Sequence, residues 1–313
     1  MLNSQRSPDE FVIQTNGLTK RYGNIVAVDN LSMEVLRGRV YGLLGPNGSG
    51  KTTTMGLLLG LLKPTSGTFS LFGSSDGHEE SLRRVGAIIE SPSFYPYLSG
   101  LQNLKYFQMI AGRGTEEELE SLIFRVGLTG RGEDLFRTYS LGMKQRLGIA
   151  YSLLGDPDLV FLDEPTNGLD PEGMIEVREL IRSLGEGKRT VLLSSHLLHE
   201  VEQVCDSVTI ISKGKLIAQG EVSQLVATAG SEQVRTKTTD DEKARRILSG
   251  LDWVEDVTTH EDSLLVTAPI ERSSELTEAL AHSEVYVAEM VPVHTSLEEY
   301  FLKVTGNAEE ISR

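Results

Sequence analysis

The chain has 313 residues, of which 39% are hydrophobic and 24% charged, a balance typical of a globular protein with a sizeable core and not of a disordered or fibrous chain. Its formal net charge of −15 is opposite in sign to that of most proteins that bind a phosphate backbone, so we expect no nucleic-acid partner. The single cysteine, Cys205, excludes an intrachain disulfide and a cysteine metal cage.

Two features of the first 62 residues bear on the membrane. Residues 1–10 (MLNSQRSPDE) lack the apolar core of a signal peptide. The longest apolar run, residues 55–62 (MGLLLGLL), is far shorter than the ~20 residues that cross a bilayer. We therefore expect a chain that does not span a membrane by itself.

Short apolar runs alternate with amphipathic stretches through the first two thirds of the chain. Residues 40–44 (VYGLL), 159–162 (LVFL) and 191–193 (VLL) are predicted to be buried strands. Each is followed by polar or glycine-rich residues. This pattern predicts an α/β fold with a largely parallel sheet, which binds ligands at the carboxyl ends of its strands.

Residues 45–52 (GPNGSGKT) match the phosphate-loop pattern G-x-x-x-x-G-K-[ST]. They lie between the strand 40–44 and an apolar, helix-compatible run at 53–62, which is the context that this motif requires. Glycines let backbone N–H groups surround phosphate oxygens, and a helix N-terminus adds partial positive charge. We expect Lys51 to reach the β- and γ-phosphates of ATP and the Thr52 hydroxyl to bind Mg²⁺. The predicted nucleotide-binding residues of the loop are Gly45, Pro46, Asn47, Gly48, Ser49, Gly50, Lys51, Thr52 and Thr53.

Two carboxylates follow the predicted strand 159–162, in the sequence LVFLDEP. We expect Asp163 to hold Mg²⁺ directly or through water, and Glu164 to polarise the attacking water. In isolation, such a pair is often only a solvated strand end or a helix cap. Its presence in one chain with a phosphate loop favours the catalytic interpretation.

The small, polar residues 227–231 (ATAGS) predict a linker. We place the boundary near Thr228, between a nucleotide-binding domain at 1–228 and an accessory domain at 229–313. Residues 230–313 hold 18 acidic and 8 basic side chains, a net charge of −10 out of the chain's −15, so most of the net negative charge belongs to the second domain.

The second domain has the predicted order βαββαβ, which is that of a ferredoxin-like fold, and a last helix at 297–304. Capping-box spacing joins Thr239 to Glu242 and Ser296 to Glu299. The predicted elements are strand 233–238, helix 241–250, strands 253–259 and 263–268, helix 273–281 and strand 285–291.

The motifs together resemble the nucleotide-binding subunit of ABC transporters, over about residues 11–224. Tyr22, in KRYGNIVAVDNLS, matches the aromatic residue that stacks on adenine in this family. Ser140 and Gly142, in YSLGMKQRLGIA, match its signature loop. Asp170, in NGLD, matches the loop that crosses the dimer interface, and His196, in LLSSH, matches the switch histidine that contacts the γ-phosphate.

The resemblance implies a P-loop NTPase with a largely parallel core sheet and antiparallel β and helical subdomains. It also implies catalytic roles for Glu164 and His196. Because the signature loop of one subunit closes over ATP on another, it implies a homodimer or a heterodimer with a similar subunit.

Two departures from the family pattern are visible. The signature, usually LSGGQ, reads YSLGM at 139–143, with Leu141 and Met143 in place of a glycine and the glutamine. Glu90 stands where most members have the glutamine that senses Mg²⁺ and the transport partner. A carboxylate can also approach Mg²⁺, although it adds negative charge beside ATP; the alternative is a solvated loop residue.

Glu90, the nearby FYP and the sequence YSLGMKQR look like those of ATPases from bacitracin- and daunorubicin-type exporters, which pair separate ATPase and membrane chains. Residues 94–104 (FYPYLSGLQNL) are then expected to contact the membrane subunit. The alternative is a surface loop with packed aromatic rings.

The function that follows is an ATP- and Mg²⁺-dependent ATPase at the cytoplasmic face of the membrane. It is expected to drive export of a hydrophobic or peptide-like compound through a separate permease. A soluble ABC ATPase that remodels a macromolecule and an importer ATPase are the alternatives. For the accessory domain we expect a regulatory or dimer-stabilising role.

Overall fold

A computed structural model describes residues 10–74, 78–90, 93–187, 189–229, 232–260, 262–293 and 296–310. The chain divides into two compact units that meet between Val222 and Ser223. Within the described ranges, no helix has the length and apolar character needed to cross a bilayer.

The strands and helices are as follows in chain order. The strands are β1 (Phe11–Tyr22), β2 (Ile25–Leu31), β3 (Glu34–Leu36), β4 (Val40–Leu44), β5 (Ser66–Leu71), β6 (Val85–Ile88), β7 (Leu159–Asp163), β8 (Thr190–Ser195), β9 (Ser207–Ser212), β10 (Lys215–Glu221), β11 (Gln233–Thr238), β12 (Asp256–His260), β13 (Ser263–Thr267) and β14 (Val287–Val293). The helices are α1 (Lys51–Leu58), α2 (His78–Leu82), α3 (Gly100–Ala111), α4 (Glu116–Arg125), α5 (Leu141–Ser152), α6 (Pro171–Gly185), α7 (Leu198–Val204), α8 (Val222–Ala229), α9 (Asp241–Leu248), α10 (Ser273–His282) and α11 (Leu297–Glu310).

The central sheet of the first unit has the order β10-β9-β4-β8-β7-β6. Its strands are parallel except β10, which pairs antiparallel with β9. Every residue of β4, β7 and β8 is buried. This explains why the sequence of each strand contains a continuous apolar run and not an alternating pattern. The predicted α/β fold is confirmed, and the carboxyl ends of these strands carry the phosphate loop, the Asp163–Glu164 pair and His196.

A second, antiparallel sheet joins β2, β1 and β3, with β5 also paired to β1. Its buried side chains form one core cluster with α1 and the central sheet, including Ile13, Val28, Met55, Leu57 and Phe161. This packing fixes α1, and therefore the phosphate loop before it, against two sheets.

The helix after the phosphate loop differs from the prediction of 53–62. It starts two residues earlier, so that Lys51 and Thr52 lie in its first turn, and it ends at Leu58. The N–H of Leu62 turns back to the carbonyl of Gly56 at 3.0 Å. This bond closes the helix end, because it satisfies a carbonyl that the helix leaves without an intrahelical partner.

The second unit contains a four-stranded antiparallel sheet of order β12-β13-β11-β14. With α9 and α10, its strands follow one another as βαββαβ, and this order together with the strand arrangement is that of a ferredoxin-like fold, as predicted. Its core holds Val234, Leu248, Val266, Leu276 and Leu280.

Several predicted bounds in this region are wrong. Residues 227–229, expected in the linker, end α8, where Val222 and Leu225 are buried; residues 230–231 lie outside the described ranges. The strand expected from residue 253 begins at Asp256, because Trp253 lies in a turn with the Arg272 guanidinium 3.9 Å from its ring centre. The last strand begins at Val287 and not at 285.

One predicted capping box is confirmed and one is wrong. Glu299 N–H donates to Ser296 Oγ at 3.2 Å, and Ser296 N–H donates to Glu299 Oε2 at 3.3 Å. At α9 the cap is Asp240, whose Oδ1 accepts from Lys243 N–H at 2.9 Å. The Thr239 hydroxyl instead accepts from the N–H of Tyr286 at 3.1 Å, and the helix cap lies one residue later than predicted.

Candidate functional site

The phosphate loop is a backbone cradle in which two glycines cannot be replaced without a clash. Gly45 and Gly50 have φ of 154° and 105°. A Cβ at Gly45 would lie 2.1 Å from the carbonyl oxygen of Ile211, and one at Gly50 would lie 2.4 Å from that of Ala27. Only glycine fits these close approaches and positive φ angles. A Cβ at Gly48 would meet nothing within 4 Å.

The loop borders a cavity of about 350 Å³ at the carboxyl end of the parallel strands. This is the edge at which open α/β sheets bind their ligands. The sequence-predicted residues that line it together are Asn47, Gly48, Gly50, Lys51, Thr52, Thr53, Glu164 and His196. The structure thus brings the phosphate loop, the water-polarising candidate and the switch-histidine candidate into one place.

Lys51 is buried at the centre of the loop. Its Nζ donates to the carbonyl oxygens of Gly45 at 2.8 Å and Pro46 at 3.3 Å. It also lies 3.2 Å from Glu164 Oε1. The ammonium is therefore fixed beside the cavity, where it can attract phosphate oxygens.

Asp163 and Thr52 form an all-oxygen pair next to Lys51. Thr52 Oγ1 donates to Asp163 Oδ2 at 2.9 Å, and the Asp163 carboxylate is buried. A hydroxyl and a carboxylate suit Mg²⁺, which usually takes one or two protein oxygens and completes its shell with phosphate and water. Among the described residues there is no group of three or more His, Cys, Asp or Glu that could hold a metal alone. The donor set therefore fits Mg²⁺ bound together with a phosphate ligand.

Glu164 is held by three side chains from distant parts of the chain. Its Oε2 lies 2.8 Å from His196 Nδ1, and its Oε1 faces Lys51. Its backbone N–H donates to Ser194 Oγ at 2.9 Å. Its φ of 49° is uncommon for a residue with a side chain and persists where surrounding contacts enforce it. A carboxylate fixed in this way can orient a water molecule at the cavity.

Sequence reasoning missed Ser194. This residue is fully buried in β8, and its hydroxyl also donates to Asp163 Oδ1. The sequence LLSSH indicates two serines at the end of a strand, just before His196. Only the register of β7 against β8, which pairs Asp163 with Ser194, shows which serine reaches the Asp163 carboxylate and the backbone N–H of Glu164.

The remaining predicted residues are not among those that line the cavity. Tyr22, at the end of β1, is about half exposed, with Lys20 Nζ 5.0 Å from its ring centre. Glu90 is exposed just beyond β6, with φ of 62°. Ser49 is buried in the loop, and its hydroxyl has no hydrogen-bond partner among the described residues.

The signature-loop residues and Asp170 also do not line this cavity. Ser140 caps α5 by accepting from Met143 N–H at 3.2 Å. Asp170 caps α6 by accepting from Gly173 N–H at 3.0 Å. Gly142 lies in the first turn of α5, and Leu141 beside it is about half exposed. Neither of these helix N-termini lines the cavity beside this chain's own phosphate loop, although Asn167, just before α6, does.

Residues 94–104, the predicted contact with a membrane subunit, combine packed and exposed aromatic rings. The Phe94 ring packs edge-on against Phe107 at 5.5 Å and Phe136 at 5.2 Å between centroids. Tyr95 packs at 4.9 Å against Tyr106 of α3, and both are substantially exposed. Both rings are therefore packed, as the alternative expects, but Tyr95 also keeps an exposed face that a partner could contact.

Comparisons with known proteins agree with this geometry. A family model described as ABC transporter matches residues 28–167. The chain is 41% identical over 304 residues to the ABC transporter ATP-binding protein YdbJ of Bacillus subtilis (strain 168), covering 96% of this chain and 97% of that protein. It is 39% identical over 299 residues to the bacitracin transport ATP-binding protein BcrA of Bacillus licheniformis, covering 94% and 97%.

A solved structure of the ATP-binding subunit of an ABC transporter is also similar, with a TM-score of 0.61 and 30% identity over 69% of this chain and 92% of that one. The fold, the phosphate loop with its two carboxylates and the full-length relatives all point to one family. The chain belongs to the ABC transporter ATP-binding proteins, a family of ATPases.

Proposed function

We propose that the chain is the ATP-hydrolysing subunit of an ABC exporter, which drives a hydrophobic or peptide-like compound out through a separate permease. The observation that carries the ATPase assignment is the cavity that joins the phosphate loop to Glu164 and His196. The relative named for bacitracin transport supports a peptide-like cargo. The location we propose is peripheral, at the cytoplasmic face of the membrane.

The site residues have distinct roles in this proposal. Lys51 and the loop amides bind the β- and γ-phosphates. Mg²⁺, held by Thr52 and Asp163, supplies charge neutralisation at the phosphates. Glu164 accepts a proton from a water molecule while the oxygen of that water attacks the γ-phosphorus, giving ADP and phosphate. His196 holds the Glu164 carboxylate and contacts the γ-phosphate.

Tyr22 and Glu90 complete the proposed site from outside the cavity lining. The Tyr22 ring stacks on adenine, with Lys20 on its other face. Strand pairing aligns Ile88 of β6 with Leu162 of β7, so Glu90 and Glu164 follow the carboxyl ends of two adjacent strands. We place the Glu90 carboxylate beside the Mg²⁺ of the bound nucleotide, where it can approach the metal ion.

The signature surface provides the proposed dimer contact. Ser140, Gly142 and Asp170 lie at the N-termini of α5 and α6 and do not line the cavity beside this chain's own phosphate loop. Helix N-termini attract anions through their N–H groups and partial positive charge. The N-terminus of α5, capped by the neutral Ser140, therefore suits the phosphates held by a second cassette, in a homodimer or a heterodimer with a similar chain. Asp170, a carboxylate at the start of α6, is proposed as a polar contact across the dimer interface and not as a phosphate ligand.

An exposed patch around α3 is the proposed contact with the permease. We define the α3 patch as Tyr95, Tyr106, Met109 and Ile110. Tyr106, Met109 and Ile110 share one helix face, and Met109 and Ile110 are 73% and 65% exposed. Contiguous exposed apolar side chains often mark protein interfaces, and the patch includes part of the predicted segment 94–104.

For the second unit we propose a regulatory or dimer-stabilising role, because it has its own core and most of the net negative charge. A chain ending at Ala229 tests this proposal, with a thermal melt to verify that the first unit still folds. The expected result is weaker dimerisation in sizing experiments or altered ATPase activity. Unchanged dimerisation and activity would show that the unit serves another purpose.

Reconstitution tests the function as a whole. The chain, co-expressed with the membrane protein of the neighbouring reading frame, is expected to co-purify with it in detergent. Its ATPase activity in proteoliposomes should rise with the exported compound. Compound accumulating on the ATPase side would indicate an importer. Co-purification with ribosomes and no membrane chain would favour a remodelling ATPase.

A further inference from the structure

Ser194 of β8 contacts two consecutive acidic residues with one hydroxyl: Asp163, which ends β7, and Glu164, which follows it. Its Oγ donates to Asp163 Oδ1 and accepts from the N–H of Glu164 at 2.9 Å. The parallel register that pairs Asp163 with Ser194 creates this contact. The serine is fully buried, so water cannot replace the hydroxyl without rearrangement of the core.

This contact acts on the backbone of Glu164. The residue has a left-handed φ of 49°, which residues with a Cβ adopt rarely. A hydrogen bond to its N–H fixes the peptide plane from which the side chain starts. The Glu164 carboxylate then reaches both Lys51 and His196.

The same hydroxyl acts on the carboxylate of Asp163. Thr52 Oγ1 donates to one oxygen of Asp163, and Ser194 Oγ donates to the other. With both oxygens bonded, the plane of the carboxylate is set. Groups that orient ligands and catalytic carboxylates in this way commonly matter for activity without touching the substrate.

We infer that Ser194 is a positioning residue for ATP hydrolysis, whose hydroxyl holds the metal-side carboxylate of Asp163 and the water-activating carboxylate of Glu164 in a fixed mutual orientation. The inference rests on the roles proposed above for these two residues. Because Ser194 does not line the nucleotide cavity, its loss should change turnover and not the binding of nucleotide.

Three variants test this inference in the full-length chain: Ser194→Ala, Ser194→Thr and Ser152→Ala. Ser152 is a matched control, because it is equally buried and its hydroxyl donates to the Ile149 carbonyl at 2.7 Å, outside the site. Ser194→Thr keeps the hydroxyl in a strand, where threonine is favoured. The measurements are kcat and KM for ATP, the dissociation constant of ADP without divalent cation, and the melting temperature.

The expected result for Ser194→Ala is a kcat lower by about 10- to 100-fold, the range typical for loss of an outer-shell partner. Its ADP affinity should stay within about twofold, since the phosphate contacts remain. Ser194→Thr should recover most of the activity, and Ser152→Ala should lose stability without a comparable loss of kcat.

A kcat for Ser194→Ala equal to that of Ser152→Ala would overturn the inference. If Ser194→Ala does not fold, Ser194→Cys replaces it. The thiol is a weaker donor, so an intermediate kcat is expected and an unchanged kcat overturns the inference. A Glu164→Gln variant separates the two proposals: if it is inactive while Ser194→Ala is fully active, only the positioning role fails.

Discussion

The carboxylate of Glu164 and the imidazole of His196 meet at 2.8 Å, between Oε2 and Nδ1, although they follow two different strands of the central sheet. The distance is short because β7 and β8 are adjacent and parallel, so their carboxyl ends lie side by side. The cavity beside this pair is the one that the phosphate loop borders.

Replacing His196 by alanine should lower the turnover of ATP more than it lowers the affinity for ATP. The variant loses the hydrogen bond to Glu164 and the proposed contact with the γ-phosphate, and we expect kcat to fall roughly 100-fold, within the range for such groups. His199→Ala is the control, because its ring is exposed and lies 2.8 Å from the Gln203 side chain, and it does not line the nucleotide cavity. Equal kcat in the two variants would remove His196 from the site.

Gly45→Ala should abolish nucleotide binding or prevent folding. Its Cβ would enter the space of the Ile211 carbonyl oxygen, and the backbone of the phosphate loop would have to move. Gly130→Ala provides the control, since Gly130 has φ of 75° and open space around a Cβ. That change should cost only the left-handed penalty of about 1–2 kcal/mol. Calorimetric ADP binding and thermal melts of both variants give the comparison.

Tyr41 predicts how stability changes at alkaline pH. Burial raises the pKa of Tyr41 from 10.0 to about 12, partly offset by its hydrogen bond to Thr209. The folded chain therefore keeps a proton on Tyr41 that the unfolded chain loses above pH 10. The contribution of the protonated Tyr41 to folding stability is complete below pH 10 and is lost as the pH rises to about 12.

Tyr41→Phe should therefore show a smaller drop in melting temperature between pH 10 and 12 than the unmodified chain. Tyr286→Phe, at an exposed position, should retain the full drop. Parallel melting curves for Tyr41→Phe and the unmodified chain would show that this hydroxyl does not contribute.

Charge placed on the α3 patch should separate the chain from its permease without affecting the nucleotide site. A Met109→Glu, Ile110→Glu double variant should retain the ATPase activity of the isolated chain and lose co-purification with the membrane subunit. Phe124→Glu is the control, because Phe124 on α4 is 74% exposed and lies outside the patch. If the double variant still co-purifies, the permease binds elsewhere.

Local patterns were enough to predict the parts of the fold that depend on neighbouring residues. β4 matched its predicted bounds because five consecutive apolar residues end at the phosphate loop. The phosphate loop could be predicted because its glycine spacing depends on the backbone geometry of only eight consecutive residues, 45–52. The βαββαβ order of the second unit followed from alternating short patterns in the same way.

Features that depend on contacts between distant residues could not be read from the sequence. Nothing in LLSSH distinguishes Ser194 from Ser195, and only the pairing of β8 with β7 does. Thr239 and Asp240 are both good caps, and the choice was made by a bond from Tyr286, 47 residues away. The residues of ATAGS suit a linker or a helix end equally, and 227–229 lie in α8.

The central claim is that Glu164 activates the attacking water in a site formed by the phosphate loop, and Glu164→Gln tests it most directly. The amide keeps the size of the side chain but cannot accept the proton. We predict a kcat for ATP hydrolysis lower by about 10²- to 10⁴-fold, with ATP still bound in equilibrium measurements. Full ATPase activity in this variant would contradict the account.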